Sequence, residues 1–225
     1  IPRLGRLLLD SLKNYKYTGG EYTPEKHLRF VKAYAANSSF TDWNVGRVIE
    51  ALDRSRYAGN TLVIFFSDNG FHTGEKERWG KATLWEQADY VPLIIRDPQG
   101  AMGESSRTVS LVDLYPTLVE YCDLEDPDHD LAGKSMVPLL SDPDATWDRP
   151  SFTSYGEHYS SVRDERYRFI QYPDGQRELY DHQIDIYEFH NIANDPANSQ
   201  IIERLSAYIP EEWTPSVGGR LEVKR

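Results

Sequence analysis

Thr61-Leu62-Val63-Ile64-Phe65-Phe66 followed at once by Ser67-Asp68-Asn69-Gly70 sets six β-prone residues against an abrupt polar turn. The run is β-branched or aromatic almost throughout, and Gly59-Asn60 precedes it as a turn. An apolar run without alternation is expected of a strand buried on both faces, and hence of a largely parallel sheet. Val91-Pro92-Leu93-Ile94-Ile95, ended by Asp97-Pro98, reads as a second strand of that kind. Open α/β sheets gather their ligand sites beyond the carboxyl ends of such strands. The polar residues from Ser67 to Lys81 therefore form the candidate site.

Helical patterns flank this centre. Thr23-Pro24-Glu25 opens a helix, with Thr23 as cap and Pro24 in the first position. Leu28, Val31, Tyr34 and Ala35 continue it, and Thr41 or Asp42 is expected to cap a second segment after Asn37-Ser38-Ser39. Residues 1–23 read as a connection. A further helix is expected from Ser110 to Cys122, with Leu111, Leu114, Tyr115, Leu118 and Val119 on one side. Short strand-like pieces follow at Ser151–Tyr155, Ser160–Arg163, Tyr167–Tyr172 and Arg177–Tyr180, with a hairpin turn at Pro173-Asp174-Gly175. They predict a small antiparallel sheet, closed by a helix over Ser199–Ile209. The expected division is residues 1–145 for the α/β core and 146–225 for the antiparallel subdomain.

Composition narrows the function. The 225 residues carry 36 acidic and 25 basic side chains, a net charge of −11. That balance argues against general binding to nucleic acid, which needs basic neutralisation of phosphates. It does not exclude an anionic substrate, because a cleft can hold a local field of opposite sign. An apolar fraction of 39% suits a packed core rather than a disordered chain, and no apolar run approaches the length of a membrane span. The single cysteine, Cys122, excludes an internal disulfide framework and a cysteine-rich zinc site.

Within the candidate site, Asp68 and Asn69 offer adjacent hard oxygens that suit Ca²⁺ or Mg²⁺, although Asp-Asn-Gly is also a common turn. Lys81 supplies a cation for an anion beside such a metal. His72 reads first as a packing or surface histidine. His27, His129, His158, His182 and His190 have no short metal-ligand spacing and read as structural.

The polar stretch also carries Gly74-Glu75-Lys76 and Trp79-Gly80-Lys81-Ala82-Thr83-Leu84-Trp85-Glu86. With the two strands, these motifs resemble the type I sulfatases of the alkaline phosphatase superfamily, and more narrowly the bacterial iduronate-2-sulfatase-like enzymes. The resemblance continues in order through Asp113-Leu114-Tyr115-Pro116-Thr117-Leu118, Leu131-Ala132-Gly133-Lys134-Ser135, Glu178-Leu179-Tyr180-Asp181 and Glu188-Phe189-His190-Asn191, over about residues 30–210. Each motif is weak alone; their common order is specific.

The resemblance implies the C-terminal part of an alkaline-phosphatase-like α/β core followed by a small antiparallel subdomain. It implies hydrolysis of sulfate monoesters of a sulfated saccharide or small molecule. In that mechanism a hydrated formylglycine attacks sulfur beside a Ca²⁺ ion, with Mg²⁺ as the alternative. Carried over by position, Asp68 and Asn69 correspond to metal ligands and Lys81 to the catalytic lysine that contacts sulfate. Arg78 and His72 are its expected neighbours in the substrate pocket, although Arg78 also reads as an exposed helix or loop arginine. Arg78 stands where close relatives carry histidine, and Ser160 near another such position. Ile186 replaces a usual proline.

No Cys/Ser-x-Pro-x-Arg motif occurs in these residues. The nucleophile and the first acidic metal pair are expected upstream of Ile1, in an N-terminal half acting as partner to this one. A periplasmic or secreted enzyme is the expectation. Leu93-Ile94-Ile95-Arg96-Asp97-Pro98 also resembles phosphonate monoester hydrolases, and a non-catalytic module derived from a sulfatase is the third reading.

Overall fold

The computed structural model describes residues 1–5, 23–100 and 102–213. The expected connection before Thr23 lies mostly outside them. Helix α1 spans Pro24–Asp53. Thr23 caps it, its Oγ1 accepting the Lys26 N–H at 3.2 Å, with proline where the missing N–H costs nothing. The expected break at Thr41 or Asp42 does not occur; α1 is one helix of 30 residues. Two of the polar residues that suggested a break, Asn37 and Ser38, bond back along the helix instead. Asn37 donates to the Ala33 carbonyl and Ser38 to that of Tyr34, the alternative to capping open to such side chains; Asn44 beyond them does the same to Phe40.

Strand β1 (Val63–Phe66) pairs with β4 (Leu93–Arg96). Between them lie the two-residue strands β2 (His72–Thr73) and β3 (Trp79–Gly80) and the single turn α2 (Glu86–Asp89). The β1–β4 pair is antiparallel, with Val63 opposite Arg96 and Phe66 opposite Leu93. This corrects the expected parallel arrangement for these two strands. The expected burial is corrected too: Val63 and Ile64 are half-buried, and Phe65 and Phe66 are exposed. An apolar run reports that a strand is suited to cover, not which way its neighbour runs. A groove of about 710 Å³ separates α1 from this pair, lined by Tyr34, Val45, Ile49, Phe65, Pro92 and Ile94.

A 3₁₀ turn at Leu111–Asp113 leads into α3 (Leu114–Tyr121). Asp113 is buried and divides its carboxylate between two backbone donors, Ser110 N–H and Lys134 N–H, each at 2.8 Å. One residue thus starts the helix and anchors the Leu131–Lys134 turn. Around α4 (Val137–Ser141), Met136, Leu139 and Trp147 form a local core.

Strands β5 (Ser151–Ser154), β6 (Ser160–Arg163), β7 (Tyr167–Gln171) and β8 (Arg177–Asp181) form the expected antiparallel sheet in sequential order. Period-two alternation assigns its two faces. Val162, Phe169 and Leu179 pack against Ile202 and Leu205 of α5 (Ser199–Ser206). Ile170 and Tyr180 face the other way, against Leu84 and Trp85. Each such fully buried apolar side chain is worth about 1.5–3 kcal/mol. α5 is shorter than the expected Ser199–Ile209.

Polar groups tie the second face to the candidate site. Buried Glu178 accepts Trp85 Nε1–H at 3.0 Å, the Tyr172 hydroxyl at 2.6 Å and the Tyr180 hydroxyl. Arg168, also buried, ion-pairs with Glu86, with Asp89 at 2.9 Å and with Glu188 at 2.7 Å. Burial pushes the Asp89 carboxyl up to about 6 against the pull of Arg168.

Candidate functional site

β1 ends in a turn in which Ser67 Oγ donates to the Asn69 carbonyl at 2.8 Å. The next residue fixes the depth of that turn. Gly70 N–H donates to the Ala88 carbonyl at 2.7 Å, and a Cβ at Gly70 would stand 2.1 Å from the Gln87 carbonyl oxygen. Only glycine allows this approach, so α2 and the Asp68-Asn69 turn are held in contact.

The chain then forms the β2–β3 hairpin, with His72 opposite Gly80 and Thr73 opposite Trp79. Glu75 accepts the Thr73 N–H at 2.6 Å and its hydroxyl at 3.0 Å, which closes the turn. Phe30 of α1 packs edge-on against Trp79. Lys76 leaves the hairpin to donate to the Glu188 carbonyl, with its ammonium 5.0 Å from the Trp85 ring centre and 4.9 Å from that of Tyr180. These contacts bolt the hairpin to the antiparallel sheet.

Lys81 follows directly. Its Nζ donates to Asn69 Oδ1 at 2.6 Å, so residues 12 apart in sequence meet at the end of β1. Asp68, Asn69 and Lys81 line one wall of a cleft of about 750 Å³. Arg107, Arg163 and Tyr155 contribute to the remainder. Hard oxygens at such a position suit a divalent cation, but these two side chains supply a minority of the six to eight ligands that Ca²⁺ takes.

His72 and Arg78 are placed differently from the expected pocket neighbours. Both are buried, His72 wholly and Arg78 at 4% exposure, and neither lines the cleft. The reading of Arg78 as an exposed loop arginine is therefore corrected. Its guanidinium donates to the Lys81 carbonyl at 2.7 Å. His72 Nε2 lies 2.8 Å from Thr83 Oγ1. Burial holds this imidazole neutral, lowering it from 6.5 to about 4; Glu75 and Glu188 oppose the shift, and Arg78 and Lys76 add to it. Ser160 is buried away from the cleft wall.

A second cluster escaped sequence reasoning. Glu86, His182 and Glu188 bring three ligand atoms within 4.8 Å of one another, a group that could hold a metal ion. They already serve one another, with His182 Nε2 at 2.9 Å from Glu188 Oε1. Arg168 and Arg163 lie against the same carboxylates. A divalent cation here would meet two guanidinium groups, so the donor set reads as an ion-pair network. No local spacing betrays the cluster, because Glu86 lies on α2 while His182 and Glu188 lie in the segment after β8.

The chain is similar to known proteins over most of its length. The sulfatase family model matches residues 10–124, and the model for the C-terminal region of N-sulphoglucosamine sulphohydrolase matches residues 74–213. A sulfatase of Formosa agariphila is 36% identical over 212 residues, 94% of this chain and 41% of that protein. The chain spans less than half the length of the curated relatives it matches. A solved structure in complex with its substrate D-glucosamine-2-N,6-O-disulfate superposes with a TM-score of 0.72 at 24% identity, covering 88% of this chain and 44% of the other. A phosphonate monoester hydrolase from Silicibacter pomeroyi superposes with a TM-score of 0.72 at 28% identity, covering 84% and 41%. With the strand-end turn, the hairpin and the four-stranded sheet in one order, and with family models spanning residues 10–213 between them, the chain belongs to the sulfatase family.

Proposed function

We propose that this chain supplies the sulfate-facing wall of a sulfuric ester hydrolase acting on a sulfated carbohydrate. The observation that carries the reading is the meeting of Lys81 with Asn69, beside Asp68, in the cleft at the end of β1. An ammonium there can neutralise sulfate oxygens as the ester bond breaks, and such a fixed charge acts most strongly where water is excluded. Asp68 and Asn69 would hold the cation, Ca²⁺ or Mg²⁺. When bound, it would supply Lewis-acid and templating chemistry to the sulfate. The formylglycine nucleophile belongs to a part of the enzyme upstream of this chain.

The saccharide class is supported by the solved relative with a disulfated glucosamine. The partly exposed strands β1 and β4 and the groove beside α1 suit cover by the upstream half. In this reading residues 1–145 belong to the catalytic core and 146–225 to a subdomain closing the cleft. Among the described residues no helix is long and apolar enough to cross a membrane; a periplasmic or secreted location is part of the proposal.

The test joins this chain to its upstream half and measures sulfate release from sulfated monosaccharides beside hydrolysis of a phosphonate monoester. Lys81→Ala is expected to lower kcat by about 10²–10³-fold, the loss typical of one charge-stabilising donor. A phosphonate rate above the sulfate rate would favour the second reading, which the Silicibacter pomeroyi neighbour supports. Absence of both activities would leave a non-catalytic module.

A further inference from the structure

We infer that Arg78 and His72 are positioning residues for Lys81, acting from behind the cleft wall and not by contact with substrate. The inference rests on the sulfatase reading, since it concerns the lysine assigned there to sulfate.

Lys81 stands between two residues with left-handed backbone, Gly80 at φ 107° and Ala82 at φ 67°. For Ala82 that conformation costs about 1–2 kcal/mol and persists only where the surroundings enforce it. The enforcing contacts lie on both sides. Before Ala82, the Arg78 guanidinium holds the Lys81 carbonyl at 2.7 Å. After it, His72 Nε2 lies 2.8 Å from the buried Thr83 hydroxyl. His72 and Arg78 themselves sit on the β2–β3 hairpin, or one residue from it, braced against α1 and the antiparallel sheet. The short arc from Lys81 to Thr83 is thus fastened at both ends. Its outward side chain is left to reach Asn69.

The arrangement has a cost that a passive packing role does not explain. Arg78 Nε and His72 Nδ1 are buried without a hydrogen-bond partner among the described residues. A buried guanidinium is expensive unless well paired. Its one hydrogen bond to a described residue is to the backbone of the candidate sulfate-binding residue. Removing it frees the Lys81 carbonyl, and the strained Ala82 can then relax and swing the ammonium.

The experiment uses the enzyme with its upstream half present, loaded with calcium. It compares wild type with Arg78→Gln, Arg78→Lys and Thr83→Val. Three readouts are taken: kcat and KM on a sulfated monosaccharide, the affinity for inorganic sulfate by calorimetry, and the melting temperature. A displacement of the order of 1 Å costs about 10²-fold in rate, so R78Q is expected to lower kcat by about that factor. It should weaken sulfate binding in parallel, and any rise in KM should accompany the fall in kcat. R78K, which can still donate to the Lys81 carbonyl, should recover about tenfold of the loss, and T83V should lose about tenfold by freeing the other end of the arc. A raised KM with unchanged kcat in R78Q would mean that Arg78 touches substrate, and would overturn the inference. So would unchanged kcat and sulfate affinity. If R78Q does not fold, R78K and T83V decide by the same readouts: wild-type kcat and sulfate affinity in T83V overturn the inference, and their parallel loss in a folded T83V supports it. A wild type that neither hydrolyses sulfate esters nor binds sulfate overturns the sulfatase reading itself. Activity in R78Q equal to an active wild type overturns only the positioning role.

Discussion

His72 shows how one buried side chain writes a pH dependence into the molecule. Burial lowers its imidazole from 6.5 to about 4, so the folded state resists a proton that the unfolded chain accepts. The stabilisation is complete above pH 6.5 and is lost as pH falls towards 4. His72→Gln removes this contribution. The stability difference between wild type and H72Q should therefore shrink as pH drops from 6.5 to 5, by about 2 kcal/mol if the whole shift is expressed. Chemical denaturation at several pH values measures it, and a constant difference would refute it. Asp89 acts in the opposite sense. Its carboxyl, raised to about 6, favours the folded state at low pH and withdraws that support as pH rises from 3.8 through 6. The wild-type profile alone therefore mixes the two, and only the comparison with H72Q isolates the histidine. At this scale the gathering of Asp68, Asn69 and Lys81 in one cleft was legible only in part: polar residues crowd the end of an apolar strand, but Asp-Asn-Gly reads equally as a common turn, and the resemblance to sulfatases joined Lys81 to it. The burial of His72 and Arg78 was not legible, since a lone histidine or arginine carries no local mark of what will cover it. Arg168 was equally hidden: it alternates on β7 like any polar residue, and its acidic partners come from α2 and the loop after β8.

Elements bring the site together through a few close approaches. Gly70→Ala tests the closest of them. The added methyl would fall 2.1 Å from the Gln87 carbonyl oxygen, which must shift or drive the Asp68-Asn69 turn away from α2. Overpacking of this kind costs about 1–3 kcal/mol, or roughly 2–12 °C in melting temperature for a chain of this size. Thermal unfolding of G70A should show that loss, and sulfate binding should weaken because the turn carries Asn69; a variant with wild-type stability would show that the turn yields freely. The antiparallel sheet was legible nearly residue by residue, because alternation and the Pro173-Asp174-Gly175 turn are local signals. The unity of α1 was not. Asn37-Ser38-Ser39 followed by Thr41 and Asp42 look like a break and a new cap in sequence, and only bonds such as those of Asn37 and Ser38 to carbonyls four residues back reveal a continuous helix. The direction of β4 against β1 was hidden for a related reason, since apolar content carries no sign of direction.

The whole molecule presents a well-packed half and an open half. Around the antiparallel sheet, Phe169, Ile170, Leu179 and Leu205 are wholly buried. On the other side α1 has no buried residue, and Val48 and Ile94 are 69% and 60% exposed. Asp68 and Asn69 sit on the turn that leaves this open side. The proposed cation site thus has protein oxygens from one direction. Two side chains out of six to eight ligands leave water to supply the rest, and each missing carboxylate removes both charge and rigidity. The 225-residue chain by itself is therefore expected to bind Ca²⁺ no more tightly than roughly 10⁻³ M, the weak end of protein calcium sites. Addition of the upstream half should strengthen binding by several orders of magnitude, and Asp68→Ala should abolish most of that gain. Calorimetric titration of the chain with and without the upstream half measures both. Micromolar binding by the chain alone would place a complete ligand set within these residues and would return the Glu86, His182 and Glu188 cluster to consideration as the metal centre. Equal weak binding in both would remove the cation from the proposed chemistry and leave Lys81 as the principal charge facing the sulfate.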